Sequence, residues 1–206
     1  MLHQFRGESA KALELAEVAI ELCQEHGYAY YLAWATIIHS WARVQHGGGE
    51  AELARLREGL ADLRATGAAL RLPYYLATLA EASARVGRLD EAFAALDEAR
   101  LAVECNGERW REAERHRIQG ELLIAKGGAA GAQEAEAEFR ESLKVAQAQG
   151  ARSLELRAAL SLCRLWREQG NRAAARELLG NTVDWFDEGF GTPDFLEAQR
   201  ALKELA

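Results

Sequence analysis

The chain has 206 residues, enough for one ordinary domain or a short repeat array, and 49% of them are apolar. Its formal charge of −7, from 25 basic and 32 acidic residues, argues against a nucleic-acid binder, which carries a basic face. No run of about 18 apolar residues offers a membrane span, and the opening MLHQFRGESAK lacks the basic-then-apolar order of a secretory leader.

Ala, Leu, Glu and Arg dominate while strand-forming β-branched residues are scarce, so an all-α chain is expected. Glycines punctuate it in two interleaved series. Gly7, Gly47, Gly87 and Gly127 are 40 apart and Gly170 follows after 43; Gly27, Gly67, Gly107 and Gly150 repeat steps of 40, 40 and 43. Glycine takes positive φ without steric cost and so sits just past helix ends. Between these stops the apolar spacing is helical, as in Leu89, Phe93, Leu96 and Leu101. In chain order the predicted helices lie near 9–26, 28–46, 50–66, 72–87, 89–105, 109–126, 132–149, 152–169, 171–187 and 194–205. A fixed period of this size marks a solenoid.

The second helix of each pair has its own pattern. Ala92, Leu96 and Ala99 follow Gly87; Ala12, Ala16 and Ala19 stand at the same offsets from Gly7, and Ala175, Leu179 and Thr182 from Gly170. Ala135, Phe139 and Ser142 appear three residues late, with GGAAGAQ read as a lengthened turn. Small residues at this spacing let two helices approach closely around a larger one. The pattern resembles the tetratricopeptide repeat, with Leu79-Ala80 and Leu162-Cys163 matching the first-helix pair and Gln119-Gly120 matching in part. The second repeat departs from it, with Glu52 at the first small position, and the period of about 40 exceeds the usual 34. The resemblance implies a right-handed α-solenoid of antiparallel helix pairs. It would be one domain over 1–206, divided into a half repeat (1–27), repeats at 28–67, 68–107, 108–150 and 151–189, and a capping helix at 193–206.

Several stretches, among them LPYYLATLAEASARVGRLDEAFAALDEA and SLELRAALSLCRLWREQGNRAAARELL, carry a narrower likeness, as does the tail WFDEGFGTPDFLEAQRALKEL. They resemble the C-terminal repeat region of large bacterial signalling proteins, over about residues 34–206. In those proteins a cyclase or DNA-binding output domain precedes an ATPase module and then the repeats. The likeness implies a sensor or scaffold arm. The first predicted helix, 9–26, is of the second type and has no full first-type helix before it, so the expectation is either a fragment or a neighbouring domain or subunit covering that end, and a homodimer through 9–26 is one form of the latter.

No catalytic motif stands out. GGGE at 47–50 lacks the Lys-Ser/Thr of a phosphate loop and follows a helix. His3, His26, His39, His46 and His116 show no metal-ligand spacing, so neither a metal nor a cofactor is expected. Glu112, Glu114 and Glu121 alternate with Arg111, Arg115 and Arg117, which predicts a solvated, salt-bridged helix face rather than an acid–base pair. Cys23, Cys105 and Cys163 are few and far apart, which predicts no disulfide framework and a reducing cytoplasm, with Cys163 as a core thiol.

In tetratricopeptide arrays the first helices line a concave groove. Carried over, the groove positions fall on Trp34, Ile37 and Trp41; on Tyr74, Glu81 and Arg85; on Glu114, Arg117 and Glu121; and on Arg157, Arg164 and Arg167. That groove would be aromatic at its N-terminal half and Arg-rich at its C-terminal half, fit for a peptide with an apolar anchor and an acidic end. Core packing of Trp34 and Trp41, and plain solvation of the arginines, are the competing readings. Ile37 and Trp41 stand where a chaperone-tail clamp needs Lys and Asn. The expected function is a non-catalytic protein- or peptide-binding scaffold with no nucleic acid or membrane partner. The alternatives are a small-molecule sensor and an oligomerisation arm.

Overall fold

The structure is a computed structural model that describes residues 1–205. Among the described residues are eleven helices and no strand. They are α1 (Leu2–Phe5), α2 (Ser9–His26), α3 (Ala29–Gln45), α4 (Glu50–Ala65), α5 (Leu72–Arg85), α6 (Leu89–Asn106), α7 (Glu112–Lys126), α8 (Gly128–Ala148), α9 (Arg152–Glu168), α10 (Arg172–Val183) and α11 (Pro193–Glu204). Within each of the two compact units described below, helices that are neighbours in sequence pack against one another, as in a helical repeat. None among the described residues is long and apolar enough to cross a membrane.

All nine glycines of the two series have positive φ, between 63° and 89°. At Gly27, Gly67 and Gly107 an added Cβ would touch nothing within 4 Å. The spacing of these residues therefore answers to the hand of the backbone at each turn and not to crowding.

The chain folds as two compact units, residues 1–108 and residues from 109 onward. In the first unit α2 lies on α3, α3 pairs with α4, and α5 pairs with α6. Ala16 of α2, Leu56 of α4 and Leu96 of α6 are buried at matching positions, as are Ala12 and Ala92. The departure at Glu52 is resolved locally. Its side chain is partly buried, with Oε1 3.5 Å from Arg43 Nε and Oε2 buried without a hydrogen-bond partner. The close approach shifts to Gly59, where a Cβ would come within 3.2 Å of Ile37, Ala33 and Thr36.

In the second unit α7 pairs with α8, α9 lies on α8, and α10 and α11 follow. The ring of Phe139 in α8 rests on Gly120 of α7, leaving no space for a Cβ there. Burying a ring of that size stabilises by about 1.5–3 kcal/mol. Ser142, which takes the small-residue position, is buried and donates to the Ala113 carbonyl at 2.7 Å. Two boundaries differ from the sequence reading by four residues. The GGAAGAQ stretch is not a long turn, because α8 already begins at Gly128 and the three extra residues add helix. Its alanines favour helix and have no large side chain to bury. Conversely, α10 stops at Val183 and not near 187, ahead of a segment broken by Gly189, Gly191 and Pro193.

Candidate functional site

The first-unit residues assigned to the groove form a ladder between α3 and α5. Trp41 Nε1 donates to Glu81 Oε2 at 3.1 Å, Gln45 Nε2 donates to Glu81 Oε1 at 3.1 Å, and Arg85 Nε donates to Gln45 Oε1 at 2.9 Å. Trp41 is buried, so its ring packs while its N–H finds a carboxylate. Tyr74 is also buried. Its hydroxyl donates to Gln4 Oε1, and the Phe5 ring meets it edge-on at 5.6 Å, so α1 covers this part of α5. Trp34 stands apart from them, with the Arg71 guanidinium 5.8 Å from its ring centre.

The second-unit residues form a network of ion pairs whose centre is buried and not, as the sequence predicts, on a solvated face, because α9 packs over α7 there. Glu114 is buried and takes Arg117 in a two-pronged contact, Nε and one Nη each at 3.0 Å, with Arg157 at 3.5 Å and Arg111 at 3.8 Å. Burial opposes its charge, but Arg117, Arg157 and Arg111 outweigh that and hold the carboxyl well below the usual carboxylate range. Burial likewise works against the Arg157 cation, and Glu114 and Asp194 more than restore it. Glu121 accepts from Ser161 Oγ at 2.6 Å and lies 3.4 Å from both Arg117 and Arg164. α11 supplies the outer carboxylates: Asp194 to Arg157 at 2.7 Å, Glu197 to Arg164 at 2.5 Å and Glu204 to Arg167 at 2.6 Å. The arginines read from sequence as recognition groups for an acidic peptide thus already hold carboxylates of their own chain.

An open apolar cleft of about 390 Å³ lies elsewhere, between α2 and α3. Leu15, Ala19 and Leu22 line it from α2, and Tyr31, Trp34 and Ile38 from α3. Leu15, Leu22, Tyr28 and Tyr31 are each between 44% and 53% exposed, and Val18 beside them is 58% exposed. The indole N–H of Trp34 is buried there without a hydrogen-bond partner. On α2 the exposed Glu14, Glu21 and Glu25 form the adjoining edge of this stripe. The lining is mostly apolar and lies beside negative charge.

Of the residues picked from sequence, Trp34 alone lines this cleft. Leu15, Val18, Leu22, Tyr28 and Tyr31 were not among them. A signal for three of these is present in the repeat itself. Leu15, Val18 and Leu22 correspond, one 40-residue step on, to the exposed Arg55, Glu58 and Asp62 of α4. An outward position that is charged in one repeat and apolar in another points to a covered surface. No family model matches the chain, and no curated protein matches it.

Proposed function

We propose that the chain is a non-catalytic protein-interaction module built of tetratricopeptide-like hairpins, and that the α2–α3 cleft is its contact face. The observation that carries this reading is the exposed apolar group of Leu15, Leu22, Tyr28 and Tyr31 lining a cavity, with exposed Val18 on the same helix face. Contiguous apolar surface of this kind marks an interaction site, whereas scattered exposed leucines do not. The aromatic pair Tyr31 and Trp34 supplies the large, stiff side chains that carry most binding energy at interfaces. The α3–α5 ladder and the α7–α9–α11 ion pairs hold the helices that frame each unit. A regulatory arm of a bacterial signalling protein is the context that the repeat resemblance supplies, and three free thiols support a reducing cytoplasm.

The test is affinity purification of the tagged chain beside its Leu15→Asp/Leu22→Asp variant. Both positions are exposed, so the variant keeps its fold. A protein retained by the parent chain and lost from the variant supports the reading. An identical set of retained proteins sinks it.

A second reading, a small-molecule sensor, draws on the cavity size, which falls within the 300–1,000 Å³ or so usual for ligand sites. Native mass spectrometry separates the two: a sensor retains a small added mass, and a protein-binding module does not.

A further inference from the structure

The cleft has the form of a place for one more helix. In the hairpins, the second helix meets the first at one recurring register position. In α4 this is Gly59, against Ile37 and Thr36 of α3; in α8 it is Ser142, bonded to Ala113 of α7. The corresponding residue of α2 is Ala19, which is only half-buried and lines the cleft instead. Small residues at that position exist to let a neighbouring helix approach. Besides α3, the single turn of α1 packs on α2, and Met1 and His3 edge the cleft without covering Leu15, Val18 or Leu22.

The composition of the seat describes its occupant. Lys11, Leu15, Val18, Leu22 and Glu25 run down one side of α2 at spacings of four and three, over about 21 Å at roughly 1.5 Å per residue. A matching helix has about four turns and presents apolar side chains at the same rhythm. The charge beside the stripe is one-sided. Glu14, Glu21 and Glu25 are exposed along one edge, and Lys11, bonded to Glu14 at 2.6 Å, is the one Lys or Arg on that helix. Two copies of α2 laid together would set these glutamates against each other, which opposes self-pairing. A flank bearing Lys or Arg meets them with opposite charge.

We infer that the α2–α3 cleft seats a partner helix with an apolar stripe and a basic flank, docked as the missing neighbour of α2. This inference rests on the cleft being the contact face, as proposed above, and adds the chemistry of what binds.

Two synthetic amphipathic peptides of about 16 residues serve as probes, one with leucines at the stripe positions and lysines on the flank, the other with glutamates in place of those lysines. Fluorescence anisotropy with the full chain is expected to give a micromolar Kd for the lysine peptide and at least about tenfold weaker binding for its glutamate twin. Leu15→Asp/Leu22→Asp is expected to abolish binding, and Glu14→Lys/Glu21→Lys/Glu25→Lys to reverse the preference between the twins. Equal affinities, no binding of either peptide, or binding indifferent to Leu15→Asp/Leu22→Asp overturns the inference. So does a dimer in light scattering that Leu22→Asp converts to monomer, because the occupant is then a second copy. If both peptides fail while that leucine variant still loses its co-purifying protein, the basic-helix inference falls and the contact face stands. If the variant also loses nothing, both fall.

Discussion

Arg157 lies between two carboxylates from different helices, with one Nη 3.5 Å from Glu114 of α7 and its Nε 2.7 Å from Asp194 of α11. Its side chain is only 14% exposed and that of Glu114 only 4%. Buried pairs of this kind add little net stability over apolar packing, but removing one partner is costly because the other charge remains.

Glu114→Gln is accordingly expected to destabilise the second unit by about 3–5 kcal/mol, leaving Arg117 and Arg157 facing an uncharged amide. Glu121→Gln, whose carboxylate is more exposed, is expected to cost about 1 kcal/mol or less. Chemical denaturation with spectroscopic detection compares the two; equal costs would contradict the central place given to Glu114.

The same carboxylate gives the second unit an acid limit. Because Glu114 is held below its ordinary value of 4.5, the unfolded chain takes up that proton before the folded one does. Its stabilisation is complete above about 4.5 and is lost progressively as the pH falls below that. In Glu114→Gln this part of the acid dependence should flatten, as read from melting temperatures between pH 5 and about 2.

In the first unit His39 acts earlier on the same scale. Burial first, then the charge of Arg55, lowers its pKa from 6.5, so the folded state disfavours the imidazolium. Stability is therefore full above that value and declines as the pH drops through it, until the folded histidine also protonates. His39→Gln should remove this step near neutrality and leave the loss below 4.5 unchanged. NMR titration of the His39 ring gives the direct check, with a pKa at or above 6.5 contradicting the assignment.

Glycines separate by backbone and by packing. Gly107→Ala should cost about 1 kcal/mol, since φ is 74° and nothing else is near. Gly180→Ala, inside α10 with open space around it, should stabilise by about 0.5–1 kcal/mol. Gly120→Ala should cost about 1–3 kcal/mol by driving a methyl into the Phe139 ring, and Phe139→Leu should recover part of that loss. Thermal melts of the variants test the order.

Much of the helical plan is local and so can be read from residues. A glycine at positive φ ends a helix through its own backbone, and an apolar residue at every third or fourth place marks one face, whatever lies opposite. That is why the two glycine series locate the turns, and why Ala92, Leu96 and Ala99 are readable as a packing face. GGAAGAQ misled because glycine at a helix start and glycine in a loop look alike until the following alanines are seen to continue α8.

What a charged or aromatic side chain meets is not local. Arg157, Arg164 and Arg167 have the spacing of a recognition surface, and only the placement of Asp194, Glu197 and Glu204 on α11 turns them into internal ion pairs. Trp41 and Tyr74 fall at groove positions, yet Glu81 and Gln4 claim their polar atoms. Leu15, Val18 and Leu22 stand where α4 carries exposed Arg55, Glu58 and Asp62, and the arrangement around α2 leaves them in water beside a cleft. Periodicity records which residues share a face, and the sequence by itself determined that much. Which faces are covered, and by what charge, was decided by helices far apart in the chain coming together in the tertiary structure.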